Sequence, residues 1–151
     1  MEISKTTIIE APASLVFQIL MDIDLATTWV PMLESYRLTS KSPNQVGSIY
    51  QSQYNQNGMR FEQTAEITDY VENQLVKWTA TTPFCDAKVA YSLTEISDIQ
   101  TELKHITECN YKGLTKLLAW LGKSKFKKAS EDILDKTHRN LKSIVEMTHW
   151  S

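Results

Sequence analysis

Residues 114–147 read LTKLLAWLGKSKFKKASEDILDKTHRNLKSIVEM. The stretch predicts a short helix followed by one long helix. Phe126, Ala129, Ile133, Leu134, Thr137, Leu141, Ile144 and Val145 recur at three- and four-residue steps, which makes one apolar stripe on a helix. The other face carries Lys127, Lys128, Glu131, Asp132, Asp135, Lys136, Arg139 and Lys142. Asp132–Lys136 and Asp135–Arg139 are spaced as acid-before-base pairs that support a solvated helix face. Such a helix runs roughly 35 Å, the width of a small domain. A rod that long and that one-sided needs an apolar bed, and the segments before it read as strands.

Those segments set the fold class. Glu2–Glu10, rich in Ile and Thr, predicts a strand. Pro12 fits the first position of a helix carrying Leu15, Val16, Ile19 and Leu20. Asp22–Trp29 predicts a second short helix or turn, stopped by Pro31. The period then changes to two. Strands are expected over Leu33–Lys41, Val46–Asn55, Met59–Val71, Leu75–Thr82, Ala87–Ile96 and Thr101–Tyr111. Asn57-Gly58 is a strong hairpin signal between two of them. Short turns imply antiparallel pairing, with one helix-bearing crossover after the first strand. The expected class is α+β: a curved antiparallel sheet wrapped around a long C-terminal helix, with two short helices after strand 1. One helix stripe cannot fill a strongly bent sheet, so a cavity of a few hundred Å³ is expected between them.

Composition bounds the remaining possibilities. The 151 residues fit one domain over 1–151, and with only 4 Gly and 4 Pro the chain does not read as disordered. No apolar run is long enough to span a bilayer, and Met1–Lys5 lacks the pattern of a signal peptide. Cys85 and Cys109 fit no metal spacing. They read as reduced thiols of a cytoplasmic protein, with a single disulfide as the alternative. Lysines cluster over Lys123–Lys128. With no nucleic-acid motif beside it, the cluster reads first as a solvated helix start and second as a contact with an anionic surface.

Against that background the chain resembles a known family. Ile9-Glu10-Ala11-Pro12-Ala13-Ser14-Leu15-Val16-Phe17, then Asp22, then Trp29-Val30-Pro31 resembles the start of the START-like (Bet v 1-like, SRPBCC) superfamily, in its polyketide cyclase/dehydrase-like branch. Gly47, the strands holding Trp78, Tyr91-Ser92-Leu93 and Thr101-Glu102-Leu103, and the last helix extend the likeness over nearly the whole chain. Asp98-Ile99-Gln100 stands where the family more often has a Gly-rich turn. The resemblance implies a helix-grip fold of seven strands around a C-terminal helix. It also implies binding of lipids, sterols, polyketides, quinones or similar molecules, with cyclase activity in some members. The family's functions are diverse, so the likeness speaks to fold more than to ligand.

Strand alternation nominates the site. Leu103, His105, Thr107 and Cys109 share one face, as do Met59, Phe61, Gln63, Ala65 and Ile67, and as do Tyr91 and Leu93. These sets are the more apolar ones, so they belong on the concave side. The expected ligand-cavity residues are Trp29, Met32, Met59, Phe61, Gln63, Trp78, Tyr91, His105, Thr107, Phe126 and Ile133. Phe84 and Trp120 are further lip candidates. No catalytic constellation is legible. His105 is the candidate nearest to one, as a base or carbonyl-orienting group; the plainer reading is a ring satisfied by Gln63 or Tyr91. His138, three residues after Asp135, reads as half of a surface salt bridge rather than a metal ligand. No metal and no cofactor is expected. Leu114, Leu117, Leu118, Trp120 and Leu121 form a short apolar helix, read first as docked over the sheet's open end and second as a lid or transient membrane contact.

Three functions compete. The first is binding or transport of a hydrophobic small molecule in the cavity. The second is a polyketide cyclase or dehydratase that uses His105, Tyr91 or Gln63. The third is a protein-interaction module with a filled interior. The expected partner is a hydrophobic small molecule, with no nucleic acid and no stable membrane insertion, and the chain a monomer or homodimer.

Overall fold

The computed structural model describes residues 1–151. In chain order its elements are β1 (Glu2–Ile9), α1 (Ala13–Leu20), α2 (Ala26–Trp29), β2 (Leu33–Ser40), β3 (Ile49–Gln56), β4 (Met59–Val71), β5 (Leu75–Thr81), β6 (Cys85–Ser97), β7 (Gln100–Tyr111), α3 (Gly113–Leu121) and α4 (Lys123–Trp150). The seven strands form one sheet in the order β1-β7-β6-β5-β4-β3-β2. Every neighbouring pair is antiparallel. The two edge strands, β1 and β2, are consecutive in sequence, so α1 and α2 carry the chain from one edge of the sheet to the other. This is the helix-grip architecture, with α4 as the gripped helix.

Local chemistry explains where the elements begin and end. Asn57 and Gly58 both adopt positive φ, 54° and 91°, the backbone a two-residue hairpin between β3 and β4 requires. β3 starts at Ile49 rather than the expected Val46 because Gln45 and Gly47 are left-handed, at φ 70° and 93°. A Cβ on Gly47 would also come within 2.9 Å of Ser42 Oγ. Pro12 is the residue before α1, in extended backbone, rather than its first helical residue. The second helix starts only at Ala26, because the Asp22 carboxylate accepts the Asp24 and Leu25 N–H groups at 2.9 and 3.3 Å and holds 22–25 as a turn. β6 begins at Cys85, earlier than Ala87, since Cys85 still pairs with Tyr111. Register shifts at Leu33/Ser35, Ile67/Asp69 and Glu95/Ser97 bend the sheet.

The core lies between α1, the C-terminal half of α4 and the concave face. Ile9, Val16, Phe17, Val76, Leu103, Leu141 and Val145 meet there. α4 comes closest to β1, α1 and α2, so it grips one side of the sheet and stands off β4–β6. Polar fastenings fix that half of the helix. Lys142 Nζ donates to the Ile8 carbonyl at 2.6 Å and to Glu146 at 2.7 Å. The same Glu146 carboxylate accepts the Glu10 N–H at 2.8 Å. Asn140 donates to the Trp29 carbonyl at 3.1 Å, tying α2 to α4.

Three expectations about this helix need correction. Its first turns lie past the concave face: Ala129 is exposed, and Phe126 packs edge-on against Tyr111, the last residue of β7, at 5.6 Å. The ion pairs are Lys128–Asp132 and Lys5–Asp135, not Asp132–Lys136 and Asp135–Arg139. The acids turn to Lys5 on β1 and back to Lys128; surface pairs of this kind contribute little, so partner choice is nearly free. His138 is not on the surface.

Candidate ligand-binding site

Between α2, the sheet and the N-terminal half of α4 lies a cavity of about 240 Å³ lined by 18 residues, 13 of them hydrophobic. None of the 18 is Lys, Arg, Asp or Glu. Its apolar wall includes Trp29, Met32, Trp78, Val89 and Ile133. Its polar groups are Gln63 from β4, Tyr91 from β6, His105 and Thr107 from β7, Thr137 from α4, and Tyr36 and Tyr54 from β2 and β3. Period-two alternation puts Gln63, Tyr91, His105 and Thr107 on the same concave face. A much smaller void of about 30 Å³ adjoins it through Leu20, Tyr36, Ala65 and Trp78.

Eight of the eleven nominated residues meet at this cavity. Three do not. Met59 sits at the end of the β3–β4 hairpin, exposed. Phe61, two residues on, stacks on Tyr54 at 5.4 Å and meets Phe84 edge-on at 5.3 Å, beyond the lining. Phe126 lies in the outer groove beside Tyr111, with Trp120. Alternation gave the face of Met59 and Phe61 but not how far along their strand the cavity extends.

The inner end of the site is a hydrogen-bonded chain of four side chains. Thr107 Oγ1 lies 3.1 Å from His105 Nε2. His105 Nδ1 lies 3.1 Å from His138 Nε2, and His138 Nδ1 lies 2.8 Å from Thr7 Oγ1. The rings stack: Tyr91 on His105 at 3.9 Å, and His105 on His138 at 5.2 Å. His105 and His138 are 6% and 1% exposed. His105 is therefore satisfied by Thr107 and His138, not by Gln63 or Tyr91. His138 was missed because Asp135 three residues earlier suggested a surface pair. The available signal was its phase: 134, 138, 141 and 145 fall on one helix face.

Both imidazoles are held neutral. Burial, reinforced by His138, pushes His105 down to about 3. Burial and then Lys5 push His138 down to about 4, with Asp135 pulling the other way. Two neutral rings in series give the chain two polarities. In one, Thr7 O–H donates to His138, His138 Nε2–H to His105, and His105 Nε2–H to Thr107, leaving the Thr107 hydroxyl hydrogen free. In the other, Thr107 donates inward, every bond reverses, and the outward lone pairs of Thr107 are what remains. The site thus presents one hydroxyl that serves as donor or acceptor.

Three further features belong here. The buried indole N–H of Trp29 has no protein partner, an unmet donor in a ligand-sized space. Met32 follows Pro31 with φ of 66°, a left-handed backbone anchored where its carbonyl accepts the Asn55 N–H at 2.9 Å. Burial raises the Tyr36, Tyr54 and Tyr91 hydroxyls above the ordinary phenol range, so all three stay protonated. Away from the cavity, Cys85 and Cys109 are free thiols. A hydrogen bond from Cys109 draws Cys85 down to about 6 and raises Cys109. No group of three or more acidic, His or Cys side chains is arranged to hold a metal.

Comparison with known proteins agrees with this architecture. The family model described as "Polyketide cyclase / dehydrase and lipid transport" matches residues 1–146. The chain belongs to that family. Solved structures share the fold at low identity. A conserved protein from Geobacillus kaustophilus superposes with a TM-score of 0.83 at 15% identity, over 99% of this chain and 97% of that one. A START superfamily protein from Mycobacterium smegmatis gives 0.81 at 16%, over 97% and 98%. The ZhuI aromatase/cyclase from Streptomyces sp. R1128 gives 0.81 at 14%, over 97% and 93%. No protein of curated function matches the sequence.

Proposed function

We propose that this chain binds, and by binding carries, an uncharged hydrophobic molecule bearing a carbonyl or hydroxyl oxygen. The observation that carries the reading is the cavity of about 240 Å³ whose lining holds no charged side chain. Burying apolar surface there supplies affinity. Placing a carboxylate or phosphate there leaves an ion without a counter-charge, which costs far more than a neutral oxygen. Thr107 meets that oxygen in either polarity of the histidine chain. The unmet indole N–H of Trp29 supports an acceptor on the ligand.

Calorimetric titration of a medium-chain alcohol, the matching methyl ketone and the matching fatty acid, at about pH 8 where the acid is ionised, tests this. The ketone and alcohol bind at least about tenfold more tightly than the acid, a difference of about 1.4 kcal/mol. Thr107→Val weakens the oxygenated ligands and leaves an alkane of equal length unchanged. Equal or tighter binding of the acid sinks the charge selection; saturable binding of none of the probes sinks the binding reading itself.

A second reading, a cyclase or dehydratase of polyketide-like substrates, is favoured by one observation. His105 lies on the cavity wall and continues through His138 to half-buried Thr7, so a proton accepted at the cavity has an ordered path outward. Incubation with a short aromatic polyketone tests it. Cyclisation above the uncatalysed background, lost in His105→Phe while binding persists, supports turnover. Background-rate conversion by the wild type ends it.

A further inference from the structure

α3 is packed the wrong way round for a helix that serves only the fold. Thr115 and Ala119, its small residues, are the half-buried ones. Leu114, Leu117, Leu118 and Leu121, at the spacing of one helix stripe, face solvent, and with Trp120 they are from 50% to 74% exposed. No residue of α3 is buried. Five large apolar side chains side by side on a nine-residue helix form a contiguous patch, not the scattered exposure ordinary surfaces show.

Charge surrounds that patch with one sign. From Lys112 to Lys128 the chain carries six lysines, at 112, 116, 123, 125, 127 and 128, and no acidic residue. Lys112 pairs with Asp86 and Lys128 with Asp132, while Lys116, Lys123, Lys125 and Lys127 form no ion pair. A leucine stripe with one tryptophan, flanked by unpaired lysines, combines burial of apolar side chains at an acyl boundary with attraction to anionic headgroups. The whole chain has a net charge of −2, so the attraction is local to this end. No helix of the chain is long and apolar enough to cross a membrane; the fit is to a surface.

We infer that α3 and the start of α4 form a docking surface for an anionic phospholipid bilayer, with the leucine stripe inserted and the lysines on the headgroups. α3 begins at Gly113, two residues past the end of β7 and six after the cavity-lining Thr107. A bilayer seated on α3 therefore lies at the β7 end of the sheet, the strand from which His105 and Thr107 reach the cavity. Docking itself does not require the cavity to hold anything.

Co-sedimentation of the full chain with phosphatidylcholine vesicles, with and without about one-third phosphatidylglycerol, tests the inference. The wild type partitions at least about tenfold more strongly onto the anionic vesicles, and the preference falls as salt is raised. Leu117→Glu/Leu121→Glu, two exposed positions, keeps the wild-type melting temperature and loses most of the partitioning. Lys123→Gln/Lys125→Gln/Lys127→Gln loses the anionic preference. Bilayer-embedded nitroxide quenches the fluorescence that Trp120→Phe removes. Failure of the wild type to bind anionic vesicles overturns the inference, as does binding untouched by the leucine substitutions. A patch that instead pairs two copies, seen as a dimer abolished by Leu117→Glu without vesicle binding, overturns it too.

Discussion

His105 and His138 set the pH response of the fold. An unfolded histidine titrates near 6.5, whereas these two stay neutral down to about 3 and about 4. Between those limits the unfolded chain binds the extra protons. Stability is therefore full above about pH 6.5 and falls as pH drops toward about 4. The groups facing the pair are Lys5 on β1, Asp135 on α4 and the Tyr91 ring on β6. The loss amounts to about 3 kcal/mol for the two histidines together between about pH 6.5 and 5, because the unfolded rings are already half protonated at the upper limit. Urea unfolding at both pH values should show it. His105→Leu/His138→Leu removes both partners together, leaves no orphaned ring nitrogen between them, and should be less pH-sensitive than wild type by about 3 kcal/mol over that range. Equal sensitivity of the two proteins would mean the rings are not held neutral. Half of this pair was legible: alternation on β7 pointed His105 inward. The other half was hidden by a local pattern, Asp135 and His138 three apart, that looks the same on a wet face and a dry one.

At the scale of elements, α4 divides into a half that holds the fold and a half that borders the cavity. Leu141 is fully buried among Ile9, Leu103 and Val145, and Leu141→Ala should cost about 2–5 kcal/mol in chemical denaturation. Ile133 is partly exposed at the cavity rim. Ile133→Ala should cost under about 1 kcal/mol while weakening ligand uptake. Comparable losses at both positions would mean the helix is gripped along its whole length. The period of the stripe was readable from Phe126 to Val145. The extent of the apolar bed was not, because it depends on where a bent sheet meets the helix, and Ala129 lies past that point. α3 shows the same limit. Its leucines read as a docking face, yet Thr115 and Ala119 are turned inward, since the short links at Lys112 and Gly122 fix its orientation.

Across the molecule, strand order and turns followed from local signals such as Asn57-Gly58, whereas the interior volume is a property of curvature that no single segment encodes. A filling substitution measures it. Ala65 lies on β4, buried, against both the 240 Å³ cavity and the smaller void. In a close-packed core, Ala65→Leu would overpack and cost about 1–3 kcal/mol or more. Here the added side chain has space to enter and apolar walls to meet, so the melting temperature should stay within a few degrees of wild type. Uptake of the alcohol and ketone probes should fall at least about tenfold, about 1.4 kcal/mol, because the same space is now occupied. A large drop in melting temperature would show that the sheet closes onto α4 in solution, and unchanged uptake would place the ligand elsewhere. Retained stability with lost binding is the pairing that only an interior left open by its own side chains produces.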